Sequence, residues 1–299
     1  MSDLLGESVF QIICGNSLDY LNSLPEENYF NLVFTSPPYN LGKVYETKTD
    51  VDNYLKIICP ILEASAKRIA PGGSFCLQVG LGLYKNNKTI PLDYLFFPIM
   101  ESFGLQFKQR IIWHFRHGFP AKTQFSQLHE VIMWFAKDDK PKFNLDAIRV
   151  PQLYPNYKMK GKVTGNPKGK NPGNTWKIER QENLIGDFWD NIPNVKSGHC
   201  EIVPLDDKGT KHPCQFPVGL VERCVLAMTD PNDLVFDPFA GVGSAGVAAV
   251  ANNRKFIGVD MDKTYTEAAS KRIQSVIDGT ATYRPHTAKI PDPPPPPKL

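Results

Sequence analysis

Leu234-Val235-Phe236-Asp237-Pro238-Phe239-Ala240-Gly241-Val242-Gly243 is the stretch on which the reading of this chain turns. Three apolar β-formers run into Asp-Pro and two glycines, and the small apolar residues from Ser244 to Ala251 then suit a helix. Such a strand–turn–helix junction lies at the carboxyl end of a buried strand, where open α/β sheets form their ligand crevice. Gly241 and Gly243 permit positive φ and let the backbone come close to a bulky ligand. The pattern is neither G-x-G-x-x-G nor a P-loop with its lysine, so a pyrophosphate is not its evident target. The next strand, Lys255 to Val259, ends at Asp260, with Met261 and Asp262 beyond. A carboxylate there can accept hydrogen bonds from two ribose hydroxyls. An ordinary tight turn followed by a helix-capping aspartate would read the same way.

A second stretch has the same construction. Leu32-Val33-Phe34 leads into Thr35-Ser36-Pro37-Pro38-Tyr39, again at the end of an apolar strand. The exocyclic amine of a nucleobase is a poor nucleophile because its lone pair is delocalised into the ring. Acceptors on its two hydrogens favour a pyramidal nitrogen whose lone pair is free to attack. The Ser36 hydroxyl and the Pro37 carbonyl can be those acceptors, and paired prolines with fixed φ and no N–H hold the carbonyl aimed. Tyr39 offers a face on which an extruded base can stack. The structural alternative is a stiff Pro-Pro turn with Tyr39 as surface packing.

Around these two stretches strands and helices alternate. Val9 to Cys14 reads as a strand ending at Gly15-Asn16-Ser17, Leu18 to Leu24 as a helical turn, and Phe30 to Phe34 as the next strand. Asp52 to Ile69 carries apolar residues at helical spacing and stops at Pro71-Gly72-Gly73, which feeds a strand over Ser74 to Val79. A helix over Pro91 to Phe103 and strands over Leu105 to Phe115 and Glu130 to Ala136 follow. After residue 207 the rhythm resumes with helices over Pro217 to Met228, Ser244 to Ala251 and Tyr265 to Ile277. The expected class is α/β, with a mostly parallel, doubly wound sheet. Residues 140–207, rich in Pro, Gly, Asn and Lys, break the rhythm and read as an insert without a large core of its own. Residues 281–299 end in the run Pro293 to Pro297 and read as an extended, disordered tail.

No apolar run approaches the roughly 18–20 residues of a membrane span, and the start of the chain lacks the pattern of a secretory signal, so the expected compartment is cytoplasmic. Six cysteines form no C-x-x-C pair, and His199-Cys200 and His212-x-Cys214 are too irregular for a metal site; no metal is expected. The net charge of +3 is uninformative, but its distribution is not. Lys158, Lys160, Lys162, Lys168, Lys170, Lys177 and Arg180 face the single acid Glu179, among glycines and the aromatics Tyr154, Tyr157 and Trp176. Cations, stacking rings and mobile backbone suit a DNA backbone and its grooves, although a solvated basic loop has the same composition.

Taken together these residues resemble the amino-group DNA methyltransferases that use S-adenosyl-L-methionine, in the permuted β order with Ser-Pro-Pro-Tyr early and Phe-x-Gly-x-Gly late. Lys211-His212-Pro213-Cys214-Gln215-Phe216-Pro217 matches their K-H-P-x-x-F-P segment, Leu128 to Phe135 their H-E-x-I-x-x-F strand, and Gly186 to Pro193 their G-D-x-W-x-I-P element. The resemblance implies a Rossmann-like methyltransferase fold. Residues 1–139 would form its catalytic part, 140–207 a target-recognition insert, and 208–280 the cofactor-binding part of the same domain. It implies catalytic roles for Ser36, Pro37, Pro38 and Tyr39. The cofactor would be wrapped by Phe239, Gly241 and Gly243, with Asp260 on its ribose, Asp237 near its amino acid part, and Asn16, Ser17, Thr35, His212, Phe216, Pro217, Pro238, Ser244 and Met261 around it. Family members commonly have Gly-Asp where this chain has Gly15-Asn16; an amide oxygen can still accept the adenine amine, more weakly, and Asp19 is nearby.

Serine at position 36 is typical of relatives that methylate cytosine N4, whereas adenine-specific ones mostly carry Asp or Asn there. The expected reaction is base flipping in double-stranded DNA and direct in-line transfer to cytosine N4, with adenine N6 as the alternative. None of Cys14, Cys59 or Cys76 stands in a Pro-Cys nucleophile setting, which argues against C5 chemistry. RNA or protein methylation, or a non-catalytic DNA-binding relative, are the competing classes. A cognate restriction endonuclease is the protein partner the resemblance implies; whether the chain is a monomer or homodimer is left open.

Overall fold

The computed structural model describes residues 4–25, 28–42, 48–83, 89–115, 122–123, 125–152, 158–163, 165–178, 205 and 215–283. The chain opens with β1 (Phe10–Cys14), α1 (Ser17–Ser23), β2 (Phe30–Thr35), α2 (Val51–Lys67) and β3 (Ile69–Val79). A small hairpin of β4 (Leu81–Leu83) and β5 (Thr89–Pro91) leads to α3 (Leu92–Ser102), β6 (Gln106–Phe115) and β7 (His129–Ala136). Then come the two-residue strands β8 (Lys158–Met159) and β9 (Lys162–Val163), and β10 (Thr175–Ile178). The last part is α4 (Val218–Met228), β11 (Leu234–Asp237), α5 (Ser244–Ala251), β12 (Lys255–Asp260) and α6 (Lys263–Ile277).

Eight strands form one sheet in the order β1-β12-β11-β2-β3-β7-β6-β10. Only β7 runs antiparallel to its neighbours. The carboxyl ends of seven strands and the amino end of β7 therefore share one rim. Strand alternation divides the interior in two. Phe75, Leu77, Val79, Val131, Met133 and Phe135 point to the face covered by α1, α2 and α3. Cys76, Ile132 and Trp134 point to the opposite face, where α4 and α5 pack. Each fully buried Phe or Leu on these faces contributes about 1.5–3 kcal/mol.

Most elements fall where periodicity placed them; the short hairpins β4–β5 and β8–β9 were not foreseen, and two further differences concern the main sheet. Pro71-Gly72-Gly73 does not separate a helix from a strand: it is an excursion within β3, whose pairing with β2 slips from Phe30↔Ile69 to Leu32↔Ser74. Gly73 is needed there, because a Cβ would lie 2.7 Å from Ile69 Cγ2 and 2.8 Å from the Ala70 carbonyl oxygen. The second difference is β10, which joins the main sheet beside β6 in parallel although it lies in the stretch where the rhythm lapses. Its Trp176 is buried with Ile148, and the buried guanidinium of Arg223 on α4 stands 4.8 Å from the Trp176 ring. Residues 284–299, including the proline run, lie outside the described residues.

Candidate active site at the carboxyl rim of the sheet

β11 and β2 are parallel neighbours, with Val235 opposite Leu32 and Phe236 opposite Val33. The glycine turn and the Ser-Pro-Pro-Tyr loop therefore leave the sheet side by side. Phe30 and Phe236 stack at 4.2 Å beneath them. At the rim the Thr35 hydroxyl donates to Asp237 Oδ1 at 2.7 Å, which ties the two loops directly. The Phe239 amide donates to the same oxygen at 3.0 Å. Asp237 Oδ2 is buried and accepts no hydrogen bond among the described residues. Burial pushes the Asp237 carboxyl up to about 7, against the opposing effect of its hydrogen bonds.

The turn itself is shaped by backbone. Gly241 and Gly243 have φ of 49° and 75°, and a Cβ on Gly243 would stand 3.0 Å from Ala269 Cβ. Asp260, at the end of β12, accepts from the Gly241 amide at 2.8 Å through Oδ2 and from the Asp262 amide at 3.0 Å through Oδ1. Burial raises its pKa as well. Asp262 caps α6 by accepting from the Thr264 and Tyr265 amides. Phe239 is half-buried and Met261, 76% exposed, projects to solvent.

On the other side, Ser36 is half-buried and its hydroxyl donates to the Tyr39 hydroxyl at 3.2 Å. Tyr39 in turn donates to Glu130 Oε2 at 3.3 Å, and Gln78 Nε2 donates to that same oxygen. The Pro38 carbonyl is held by the Tyr54 hydroxyl of α2 at 2.7 Å. Glu130, Gln78 and Tyr54 are absent from the sequence-derived site. His129-Glu130 was visible as a family-like pair, but its meeting with Tyr39, 91 residues away, is a product of folding.

Other expected site residues are distributed unevenly. Asn16 is exposed and caps α1, its side-chain oxygen accepting from the Leu18 amide at 2.8 Å. Ser17 is buried and donates to the Pro238 carbonyl at 2.5 Å. Phe216 packs against Phe34, and its carbonyl accepts from Ser244, whose oxygen also receives Arg272 Nη1. Pro217 is buried just before α4. The Ser244 hydroxyl is thus engaged inside the fold rather than open to the rim. His212 lies outside the described residues, as do His199, Cys200, Cys214, Tyr154, Tyr157, Arg180 and the Gly186–Pro193 segment.

Among the basic residues, Lys160 and Lys162 are exposed on the β8–β9 hairpin. Lys168 reaches Asp146 at 2.5 Å, so its charge is locally offset. Lys170 bridges to Val150 through its backbone. Lys158 and Lys177 sit on β8 and β10, and their side chains are outside the described set.

A doubly wound sheet whose neighbouring strands carry a glycine turn and a hydroxyl-and-carbonyl loop to one rim has the architecture of a group-transfer enzyme with a nucleotide-like cofactor. The family model described as DNA methylase, covering the N6 and N4 amino-methyltransferases, matches residues 30–271, and the chain belongs to that family. It is 38% identical over 264 residues to the Type II methyltransferase M.BglII of Bacillus subtilis, covering 87% of this chain and 67% of that one. It is 29% identical to the DNA adenine methyltransferase YhdJ of Escherichia coli (strain K12), over 90% of this chain and 84% of the relative. The PvuII DNA methyltransferase (cytosine-N4-specific) shares the fold, with a TM-score of 0.64, 22% identity and 91% and 93% of the two chains covered. A Thermus thermophilus DNA modification methylase complexed with S-adenosyl-L-methionine shares it at a TM-score of 0.61, with 21% identity and 94% and 100% covered. Among the described residues no helix is long and apolar enough to cross a membrane.

Proposed function

We propose that this chain methylates the exocyclic N4 of cytosine in double-stranded DNA, using S-adenosyl-L-methionine and a flipped-out target base. The observation that carries the reading is the Thr35–Asp237 hydrogen bond of 2.7 Å, which joins the amine-binding loop to the cofactor turn across adjacent strands. The residues fit the cofactor: left-handed glycines shape the turn, Asp260 offers carboxylate oxygens for the ribose, and the buried Asp237 Oδ2, which accepts no hydrogen bond among the described residues, can receive the ammonium. When bound, the cofactor supplies an electrophilic methyl group on a sulfonium.

The chain's own residues do the rest. The Ser36 oxygen and Pro37 carbonyl accept from the target amine and draw its nitrogen toward a pyramidal, nucleophilic form. Tyr39 stacks on the extruded base. Tyr54 fixes the following carbonyl and with it the loop. Lys160 and Lys162, exposed on their hairpin, meet the phosphates. Ser36, rather than a longer carboxylate or amide, favours cytosine; the relationship to YhdJ favours adenine N6 as the second reading. A restriction endonuclease of the same specificity is the proposed protein partner, since the relatives include Type II methyltransferases.

Incubating the purified protein with radiolabelled cofactor and DNA, RNA or protein acceptors tests the class of substrate. Digestion to nucleosides with mass spectrometry then identifies the base, and single-molecule sequencing its context. N4-methylcytosine is the expected product. N6-methyladenine would move the reaction to the second base, and label confined to RNA or protein would overturn the reading.

A further inference from the structure

We propose that Glu130 is the terminal acceptor of the proton released by the target amine, reached through Ser36 and Tyr39; this rests on the amine methylation proposed above. When the nitrogen lone pair forms the N–CH3 bond, the electron pair of the broken CH3–S bond stays on sulfur and the nitrogen becomes cationic. One N–H bond must then break, its electron pair returning to nitrogen. The Ser36 hydroxyl is the acceptor nearest that hydrogen in the proposed pose, but a hydroxyl cannot hold a second proton near neutral pH.

The hydrogen bonds beyond it all point one way. Ser36 Oγ donates to the Tyr39 oxygen at 3.2 Å, and Tyr39 donates to Glu130 Oε2 at 3.3 Å. A proton arriving on Ser36 can displace Ser36's own proton to Tyr39, and Tyr39's to Glu130. The hydroxyls are regenerated and the carboxylate ends as a neutral acid that later releases its proton to water. Both links exceed the usual 2.7–2.8 Å of such bonds, as catalytic hydrogen bonds commonly do before substrate tightens them.

Three features hold the carboxylate in place. β7 is the antiparallel strand, so its amino end, and Glu130 with it, arrives at the rim where β2 ends. Gln78, 2% exposed on β3, donates to Glu130 Oε2 and is neutral, so it orients the carboxylate without cancelling its charge. Gly80 leaves the space: a Cβ there would stand 3.1 Å from Tyr39 Cε2 and 3.2 Å from Glu130 Oε1. Asp237, the carboxylate on the other side of the loop, is engaged by Thr35 and the Phe239 amide instead. Among the described residues, the titratable groups near Glu130 include Tyr39, the adjacent His129, and His114 of β6, paired opposite His129.

Single-turnover methyl transfer to DNA tests the relay in wild type, Glu130→Gln and Glu130→Ala, with cofactor affinity confirming that each variant is folded. Glu130→Gln is expected to slow transfer about a hundredfold, the scale of a lost general base, while cofactor and DNA dissociation constants change less than about twofold. A rise of rate with pH is expected in wild type and should flatten in Glu130→Gln, and formate should restore part of the rate of Glu130→Ala. A Glu130→Gln enzyme with the wild-type rate and pH profile overturns the relay while methylation itself stands. Absence of transfer by the wild type overturns the underlying reading and the relay with it.

Discussion

The two loops that meet at the rim are held in opposite ways. The glycine turn is mainly a backbone construction: the Ala240 amide donates to Val259 O and the Gly243 amide to Ala240 O, while the Gly241 amide donates to the Asp260 carboxylate. The Ser36–Tyr39 loop is a side-chain construction, built from hydroxyls, the Glu130 carboxylate and the Tyr54 clamp on Pro38. A turn of the first kind depends on atoms that are missing, since any Cβ at its glycines must adopt a left-handed conformation. A loop of the second kind depends on groups that are present. Additions should therefore damage one, and deletions the other.

The largest effect is expected on the side-chain loop. Ser36→Ala should lower turnover about a hundredfold, by the loss of one charge-stabilising contact, and leave the cofactor dissociation constant unchanged. Equal turnover in single-turnover assays would show that the hydroxyl does not touch the amine. Asp260→Ala should weaken cofactor binding by about 1–3 kcal/mol; titration calorimetry giving the wild-type affinity would remove Asp260 from the ribose.

Gly243→Ala should cost about 1–2 kcal/mol of folding stability from the left-handed conformation alone, with the Ala269 contact at 3.0 Å adding to it. An unshifted urea midpoint would mean that the turn can relax. The last test concerns the seam between the loops. With its carboxyl raised from 3.8 to about 7 by burial, Asp237 keeps its proton in the folded state while the unfolded chain has lost it. The Asp237 contribution to stability should thus be greatest below 3.8, fall as pH rises from 3.8 to about 7, and level off above that. Asp237→Asn should flatten this slope; parallel wild-type and variant curves of unfolding midpoint against pH would show that Asp237 ionises normally.

The same contrast explains what could be read from residue order. Strands such as Phe30–Thr35 and helices such as Val51–Lys67 announce themselves because burial on two faces or one imposes a period on the side chains. The Pro71-Gly72-Gly73 excursion did not, because turn chemistry is local while the resumption of pairing at Ser74 depends on β2. β10 was hidden for a related reason. Its four residues are too few for a period, and its place is secured by β6, through the Ile112 amide donating to Asn174 O and Asn174 Nδ2 donating to Arg110 O. In the candidate site, Ser36 to Tyr39 and Gly241 to Gly243 were legible because unusual residues cluster locally. Glu130 and Gln78 were not singled out, since their significance comes from a contact between distant parts of the chain.

The burial of Trp176 beneath Arg223 has a practical consequence for anyone grafting recognition segments between relatives. Ile148, Val150 and Trp176 are buried in this chain, and β10 is an edge of its main sheet, so a chimera spliced at residues 140 and 207 would tear out that edge along with the segment to be exchanged. Junctions set after Val150 and before Asn174 would keep the bonds that anneal that edge to β6 and trade the outer hairpin and its neighbours.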